Sequence, residues 1–144
     1  MNTLMIQGTE VPYDEKDIIT FPEGLIGLPH LRKMVVIRQS AIEPLLWLVS
    51  VDEKPTAFLV ADAPALFPGY SPQVPVSANP GDEILSGEVP VVLGIVLISP
   101  EWKESTVNLR APLFISARTM KGVQLVLPDN SLSVGERLPL AQAA

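Results

Sequence analysis

Cysteine is absent from the 144 residues, and His30 is the only histidine. The lack of cysteine excludes disulfides, thiolate catalysis and cysteine-based zinc sites. A catalytic histidine needs a carboxylate to orient it, and the sequence neighbours Pro29 and Leu31 provide none. Walker loops and dinucleotide-binding fingerprints are also missing. We therefore expect no cofactor, and we expect His30 to be an ordinary surface residue in a turn.

Long hydrophobic runs are lacking as well. The longest, Val91 to Ile98, is far shorter than the ~18 residues that a membrane-spanning helix needs. The first residues do not combine a basic region with an apolar core, so they do not resemble a signal peptide. The expected location is the cytoplasm, with no membrane partner.

Positive charge is scarce. The chain has 10 basic and 16 acidic residues, a net charge of −6. Because direct binding to nucleic acid requires a basic surface, we expect none here. Residues 39–104 are acidic and residues 105–144 are mildly basic. This distribution suits a protein that meets a basic protein partner, although a solvated surface is the commoner cause.

Proline, in contrast, is abundant: 15 residues are spread along the whole chain, which excludes a helix bundle. Short apolar or β-branched runs lie between turn signals, as is typical of all-β proteins. We predict one domain over residues 1–144, a small antiparallel β-barrel-like or strongly curved sheet with one or two short helical turns, at Asp82–Ser86 and Pro29–Lys33. The predicted strands are Thr3–Gln7, Asp17–Phe21, Met34–Gln39, Leu45–Val51, Ala57–Ala61, Gln73–Ser77, Val91–Ser99, Thr106–Leu109, Leu113–Ser116 and Gln124–Leu127.

Two short motifs resemble binding sites, but the sequence around them favours ordinary turns. The acidic run Asp14–Asp17 lacks the ligand spacing and central glycine of a calcium loop, so it predicts a charged turn before a strand. Gly24–Gly27 matches the GxxG loop of KH domains, but that loop joins two helices in a basic domain. Here it predicts a turn that needs unusual dihedral angles.

Partner contacts are the remaining candidates for function. Phe67 and Tyr70 lie in a proline-punctuated segment and could anchor a partner, and Trp102 lies in a turn between strands. Alternation places Asn108 and Arg110 together on the outer face of a strand, with Val107 and Leu109 inward. The alternatives are that the rings cap the core and that Asn108 hydrogen-bonds a neighbouring loop.

Several segments, in order along nearly the whole chain, resemble those of one known family. They are FPEGLIGL at residues 21–28, WLVSVD at 47–52, AFLVAD at 57–62 followed by FPGY at 67–70, TVNLRAP at 106–112 and GVQLVL at 122–127. Together they are similar to the flagellar assembly factor FliW family.

The resemblance implies a non-enzymatic regulator that binds flagellin and the RNA-binding repressor CsrA. Sequestering CsrA would relieve its repression of flagellin translation, and free flagellin would compete for the regulator. The candidate contact residues are Phe67, Tyr70, Asn108 and Arg110. Composition leaves two alternatives open: a small ligand-binding or carboxylate-dependent enzymatic β-barrel, and a structural subunit of a larger assembly.

Overall fold

Strands dominate the backbone of the computed structural model, which describes residues 2–51, 56–73 and 89–139. Within these ranges the helical segments are four short ones, α1 (Ala63–Leu66) and 3₁₀ turns at Glu15–Asp17, Ser40–Ile42 and Trp102–Glu104. The predicted all-β class is confirmed, with four helical turns in place of one or two. The strands are β1 (Asn2–Ile6), β2 (Thr9–Tyr13), β3 (Ile19–Thr20), β4 (Lys33–Ile37), β5 (Leu45–Ser50), β6 (Ala57–Asp62), β7 (Val91–Leu97), β8 (Thr106–Val107), β9 (Leu113–Ser116), β10 (Lys121–Gln124) and β11 (Glu136–Arg137).

Seven of these strands close into a barrel. The order is β3-β4-β5-β6-β7-β9-β10, and β10 returns to β3. Neighbouring strands of the barrel are antiparallel except β10 and β3, which pair in parallel through Lys121 and Thr20. Strand β7 pairs with β6 along one edge. Along the other edge it pairs first with β9, which joins the two ends of the sheet into a barrel, and then with β8. The predicted strand at Val91 is therefore confirmed, and it is a central strand with a neighbour on each edge.

Side chains alternate between the barrel interior and an outer layer. On β5, Leu46 and Leu48 belong to the inner core, whereas Trp47 and Val49 lie in a cluster outside it. This follows from the two-residue period of a strand, and burial on both faces explains the continuous apolar runs. The inner core comprises Ile19, Phe21, Leu25, Leu31, Met34, Leu46, Leu48, Val60, Leu93, Leu113 and Ile115.

Three covers protect the outside of the barrel. The β1–β2 hairpin, joined by a two-residue turn at Gln7-Gly8 with positive φ at both residues, lays Leu4 and Ile6 over β4 and β5. Helix α1 and the β8 region cover β6 and β7. Leu127, from the segment after β10, packs against Phe114 of β9.

Several predicted strand boundaries were wrong. The strand at Thr106 ends at Val107, and the last barrel strand covers Lys121–Gln124, earlier than the predicted Gln124–Leu127. Strands β2 and β11 were missed, because β2 contains a proline and β11 has two exposed polar residues. The chain around Pro29 is a turn, and Lys33 already belongs to β4. The predicted elements at Gln73–Ser77 and Asp82–Ser86 lie, apart from Gln73, outside the described residues.

Candidate functional site

Phe67 and Tyr70 belong to a tight turn that follows α1. Phe67 N–H donates to the Ala63 carbonyl at 2.9 Å, and Tyr70 N–H donates to the Phe67 carbonyl at 3.0 Å. Both rings are half-buried, and both pack against the cluster formed by α1, β7 and β8. The turn therefore holds each ring in one position instead of leaving it free in solvent.

The Tyr70 hydroxyl connects this turn to the segment after β8. It donates to the Leu109 carbonyl at 2.5 Å, while the ring also contacts the outer cluster around Phe114. Burial raises the pKa of Tyr70 to about 12, so the phenol is neutral and remains a donor at physiological pH. Tyr70 thus supports the fold, as the core-capping alternative predicts.

Asn108 lies beyond the end of β8, so the prediction that it shares the outer face of one strand with Arg110 is wrong. Its side-chain Oδ1 accepts from the backbone N–H groups of Arg110 at 3.0 Å and Ala111 at 2.9 Å. Such side-chain capping offers the backbone an alternative to the sheet ladder. The strand therefore turns at Asn108. The inward positions of Val107 and Leu109 are confirmed, since both are buried.

Arg110 reaches across to the segment after β10. Its Nε donates to the Leu127 carbonyl at 3.5 Å, and a terminal nitrogen donates to the Asn130 side-chain oxygen. Hydrogen bonds from the Ser131 side chain and backbone lower the pKa of Asp129, and the positive charge of Arg110 lowers it further. Arg110 thus secures this segment, and the residue as a whole is only half-buried.

The structure thus brings the four predicted contact residues into one place. The hydrogen bond from Tyr70 to the Leu109 carbonyl joins the two turns on which they lie. We call this set of residues, Phe67, Tyr70, Asn108 and Arg110, the two-turn patch. Its chemistry suits protein contact, because it combines a half-exposed ring with a cation and includes no nucleophile beside a base.

Other residues of the shared motifs tie the loops together. The Gln124 side chain donates to the Ala111 carbonyl at 3.0 Å and accepts from Ile26 N–H at 2.9 Å. Gly24 has φ +70°, and a Cβ there would lie 2.6 Å from the backbone of Pro29. The fold therefore accounts for the glutamine at position 124 and the glycine at position 24 of these motifs.

A second exposed surface lies at the connection between β7 and β8. Leu97 is 74% exposed, and Ile98 and Trp102 are each 47% exposed. Glu101 and Glu104 lie in the same connection. Trp102 lies in a turn between two strands, as the sequence predicts, and its ring is partly exposed. Leu97 was missed because it continues an apolar run and is still paired with Thr106 of β8, so only the structure shows that its side chain is exposed.

A cavity of about 310 Å³ occupies one end of the barrel, and we call it the barrel-mouth cavity. All seven barrel strands, or residues next to them, contribute to its wall. Such a ring is invisible in the sequence because it needs the closed sheet. The lining residues are Ile19, Val36, Arg38, Pro44, Leu46, Asp62, Val91, Leu93, Ile115, Ala117 and Met120.

His30 and the acidic run Asp14–Asp17 are the residues that the sequence offers as candidates for catalysis and metal binding. No group of three or more metal-ligating side chains occurs in this part of the chain. His30 lies exposed in a turn, and Asp14 caps a 3₁₀ turn by accepting from Lys16 N–H at 3.0 Å. The predicted charged turn before β3 is confirmed. In the ranges 2–51, 56–73 and 89–139, no helix has the length and apolarity to cross a membrane.

Comparison with known proteins decides the family. The sequence model described as "FliW protein" matches residues 6–138. The chain belongs to the FliW family. "Flagellar assembly factor FliW 2" of Desulfotalea psychrophila is 32% identical over 139 residues, which cover 96% of this chain and 91% of the relative. "Flagellar assembly factor FliW" of Caldicellulosiruptor bescii is 34% identical over 131 residues, covering 91% and 82%.

The fold comparison agrees with the FliW assignment. A crystal structure of the flagellar assembly factor FliW superposes with a TM-score of 0.81 at 21% identity, covering 94% of this chain and 96% of that chain. The resemblance inferred from the motifs is therefore confirmed. As a FliW-family member, the chain is a flagellar assembly factor in flagellum biogenesis and not an enzyme.

Proposed function

We propose that this FliW-family chain acts in the cytoplasm and binds two proteins directly, flagellin and the CsrA-type translational repressor. By sequestering the repressor it couples the flagellin level to flagellin translation, and free flagellin competes for it. The observation that carries the proposal is the family match over residues 6–138, nearly the whole chain.

Charge supports a basic protein partner. The chain carries a net charge of −6, and CsrA-type repressors present basic RNA-binding surfaces. Complementary charge accelerates encounter and disfavours wrong partners. The same charge opposes binding of the chain to RNA, so regulation proceeds through the repressor.

The two-turn patch is the proposed partner-binding site. Within it, Phe67 and Arg110 make the contact, and Tyr70 and Asn108 hold them in place. Tyr70 and Asn108 use their polar atoms on the backbone of the 108–111 turn. Arg110 bonds the segment after β10 instead, and it is only half-buried, as is Phe67.

Capture with purified proteins tests both the partners and the patch. The chain is immobilised and exposed separately to flagellin and to the repressor, and we expect it to retain each. Arg110→Ala should weaken capture by about 1 kcal/mol or more, roughly fivefold, which is typical of a contact residue at an interface centre. Arg118→Ala, which removes an exposed arginine at the opposite end of β9, is the matched control and should leave capture unchanged.

Trp102→Ala tests the β7–β8 connection in the same assay. Loss of capture in Trp102→Ala with full capture in Arg110→Ala would move the site to that surface. Failure of the wild-type chain to capture either protein would reject the proposed function. Melting curves of each variant show whether a loss of binding comes from unfolding.

A further inference from the structure

The two ends of the barrel are closed to different degrees. At the end where β3 finishes and β4 begins, Phe21, Leu25 and Leu31 are almost fully buried and fill the interior. At the other end, the described residues provide no such plug, and the barrel-mouth cavity of about 310 Å³ remains. An apolar space of this size lies within the range of small-molecule pockets.

The walls of the barrel-mouth cavity are apolar, and its charges lie at the rim. Along β4 the inward positions are Met34 and Val36, and Arg38 continues this alternation just beyond the strand. Asp62 is the last residue of β6 and lies on the inward side of that strand. The cavity therefore passes from aliphatic side chains inside to one cation and one anion at the opening.

These two charged groups differ in what they already bind. Asp62 accepts a hydrogen bond from Ala65 N–H at 3.3 Å, so it serves as the cap of α1. The Arg38 side chain has no hydrogen bond or ion pair with any residue in the ranges 2–51, 56–73 and 89–139. No described residue therefore occupies the Arg38 guanidinium, and guanidinium groups match carboxylates geometrically.

We propose that the barrel-mouth cavity binds a small amphipathic carboxylate. The aliphatic chain enters between Val36, Leu46 and Leu93, and the carboxylate pairs with Arg38 at the rim. The apolar wall selects the aliphatic chain, and the positive charge of Arg38 selects a head group of negative charge. This site is separate from the two-turn patch and does not depend on the proposed partners.

Titration calorimetry with hexanoate, octanoate and decanoate, each kept below micelle formation, tests the chain-length dependence. Burying each methylene should tighten binding about fourfold, so each step of two methylenes should gain about 15-fold until the cavity is full. Amide NMR spectra recorded during the titration should shift around Ile19, Val36 and Met120. Binding without chain-length dependence, or shifts confined to another surface, would overturn the proposal.

Head-group variants test the role of Arg38. Arg38→Gln should weaken decanoate binding by about tenfold, the size expected for a charged hydrogen bond, and should leave decanol unaffected. Arg32→Gln, an exposed arginine at the closed end of the barrel, is the matched control and should bind like the wild type. Asp62→Asn should tighten decanoate binding, because it removes a like charge and keeps an acceptor for Ala65.

Two outcomes would reject the carboxylate as ligand. The first is stronger binding of decylamine than of decanoate, which would assign the rim to a cation at Asp62. The second is unchanged decanoate affinity in Ala117→Phe, which places a ring at the exposed rim position Ala117 and should obstruct the opening. Melting temperatures of all variants exclude unfolding as the cause of lost binding.

Discussion

Replacing Asn108 with alanine removes the acceptor that holds the turn after β8. The Asn108 Oδ1 receives two backbone hydrogen bonds, from Arg110 at 3.0 Å and from Ala111 at 2.9 Å. Each unpaired donor costs ~1 to 3 kcal/mol when buried, and the lower end applies to this half-buried turn. Two donors at ~1 kcal/mol each give an expected loss of about 2 kcal/mol in the free energy of unfolding.

Urea unfolding followed by circular dichroism measures this loss. For a chain of this size, about 2 kcal/mol corresponds to a melting temperature lower by about 4 to 8 °C. Asn108→Asp is the matched control, because it keeps an acceptor oxygen in the same place and should retain most of the stability. The reasoning is refuted if Asn108→Ala stays within about 0.5 kcal/mol of the wild type, the range of ordinary surface substitutions. It is also refuted if Asn108→Asp loses as much as Asn108→Ala.

Three further predictions concern pH, packing and RNA. Burial raises the pKa of Tyr70 to about 12 in the folded chain, so the unfolded chain loses this proton first and the free energy of unfolding should fall between about pH 10 and 12. Tyr70→Phe should reduce that fall. Equal stability of the variant and the wild type across this pH range would contradict the prediction. Gly122→Ala would place a Cβ 2.6 Å from the Phe21 ring and should cost about 2 kcal/mol in urea unfolding, whereas Gly135→Ala, with contacts no closer than 3.7 Å, should be near neutral. In a gel shift at physiological salt, the chain alone should leave a flagellin leader transcript unshifted but should release RNA from the repressor; a salt-sensitive shift by the chain alone would contradict the partner-binding account.

Tyr70 and Asn108 illustrate how far the sequence could predict the site. The structure places both in the two-turn patch, and their polar atoms serve backbone groups of the 108–111 turn. A contact residue and a turn-capping residue look alike in a sequence, because both are polar or aromatic residues in a loop. The two roles are distinguished only by the structure, which shows the backbone groups that each side chain bonds.

The β7 region shows the same limit for burial. An apolar run such as Val91–Ile98 predicts a central strand, which the pairing confirms. It does not predict which of its side chains the fold leaves uncovered, and Leu97 is 74% exposed. The barrel-mouth cavity likewise depends on how all seven strands come together.

The sequence by itself determined the all-β class, most of the strands and the family, because proline spacing, two-residue periodicity and ordered motifs are local properties of the chain. Only the tertiary structure decided how the barrel closes, that β8 turns at Asn108 and that Arg38 stands unpaired among the described residues at the barrel mouth. These features depend on contacts between residues far apart in the chain. Pairing register and side-chain hydrogen bonds over such separations are set by packing in three dimensions, which no local pattern encodes.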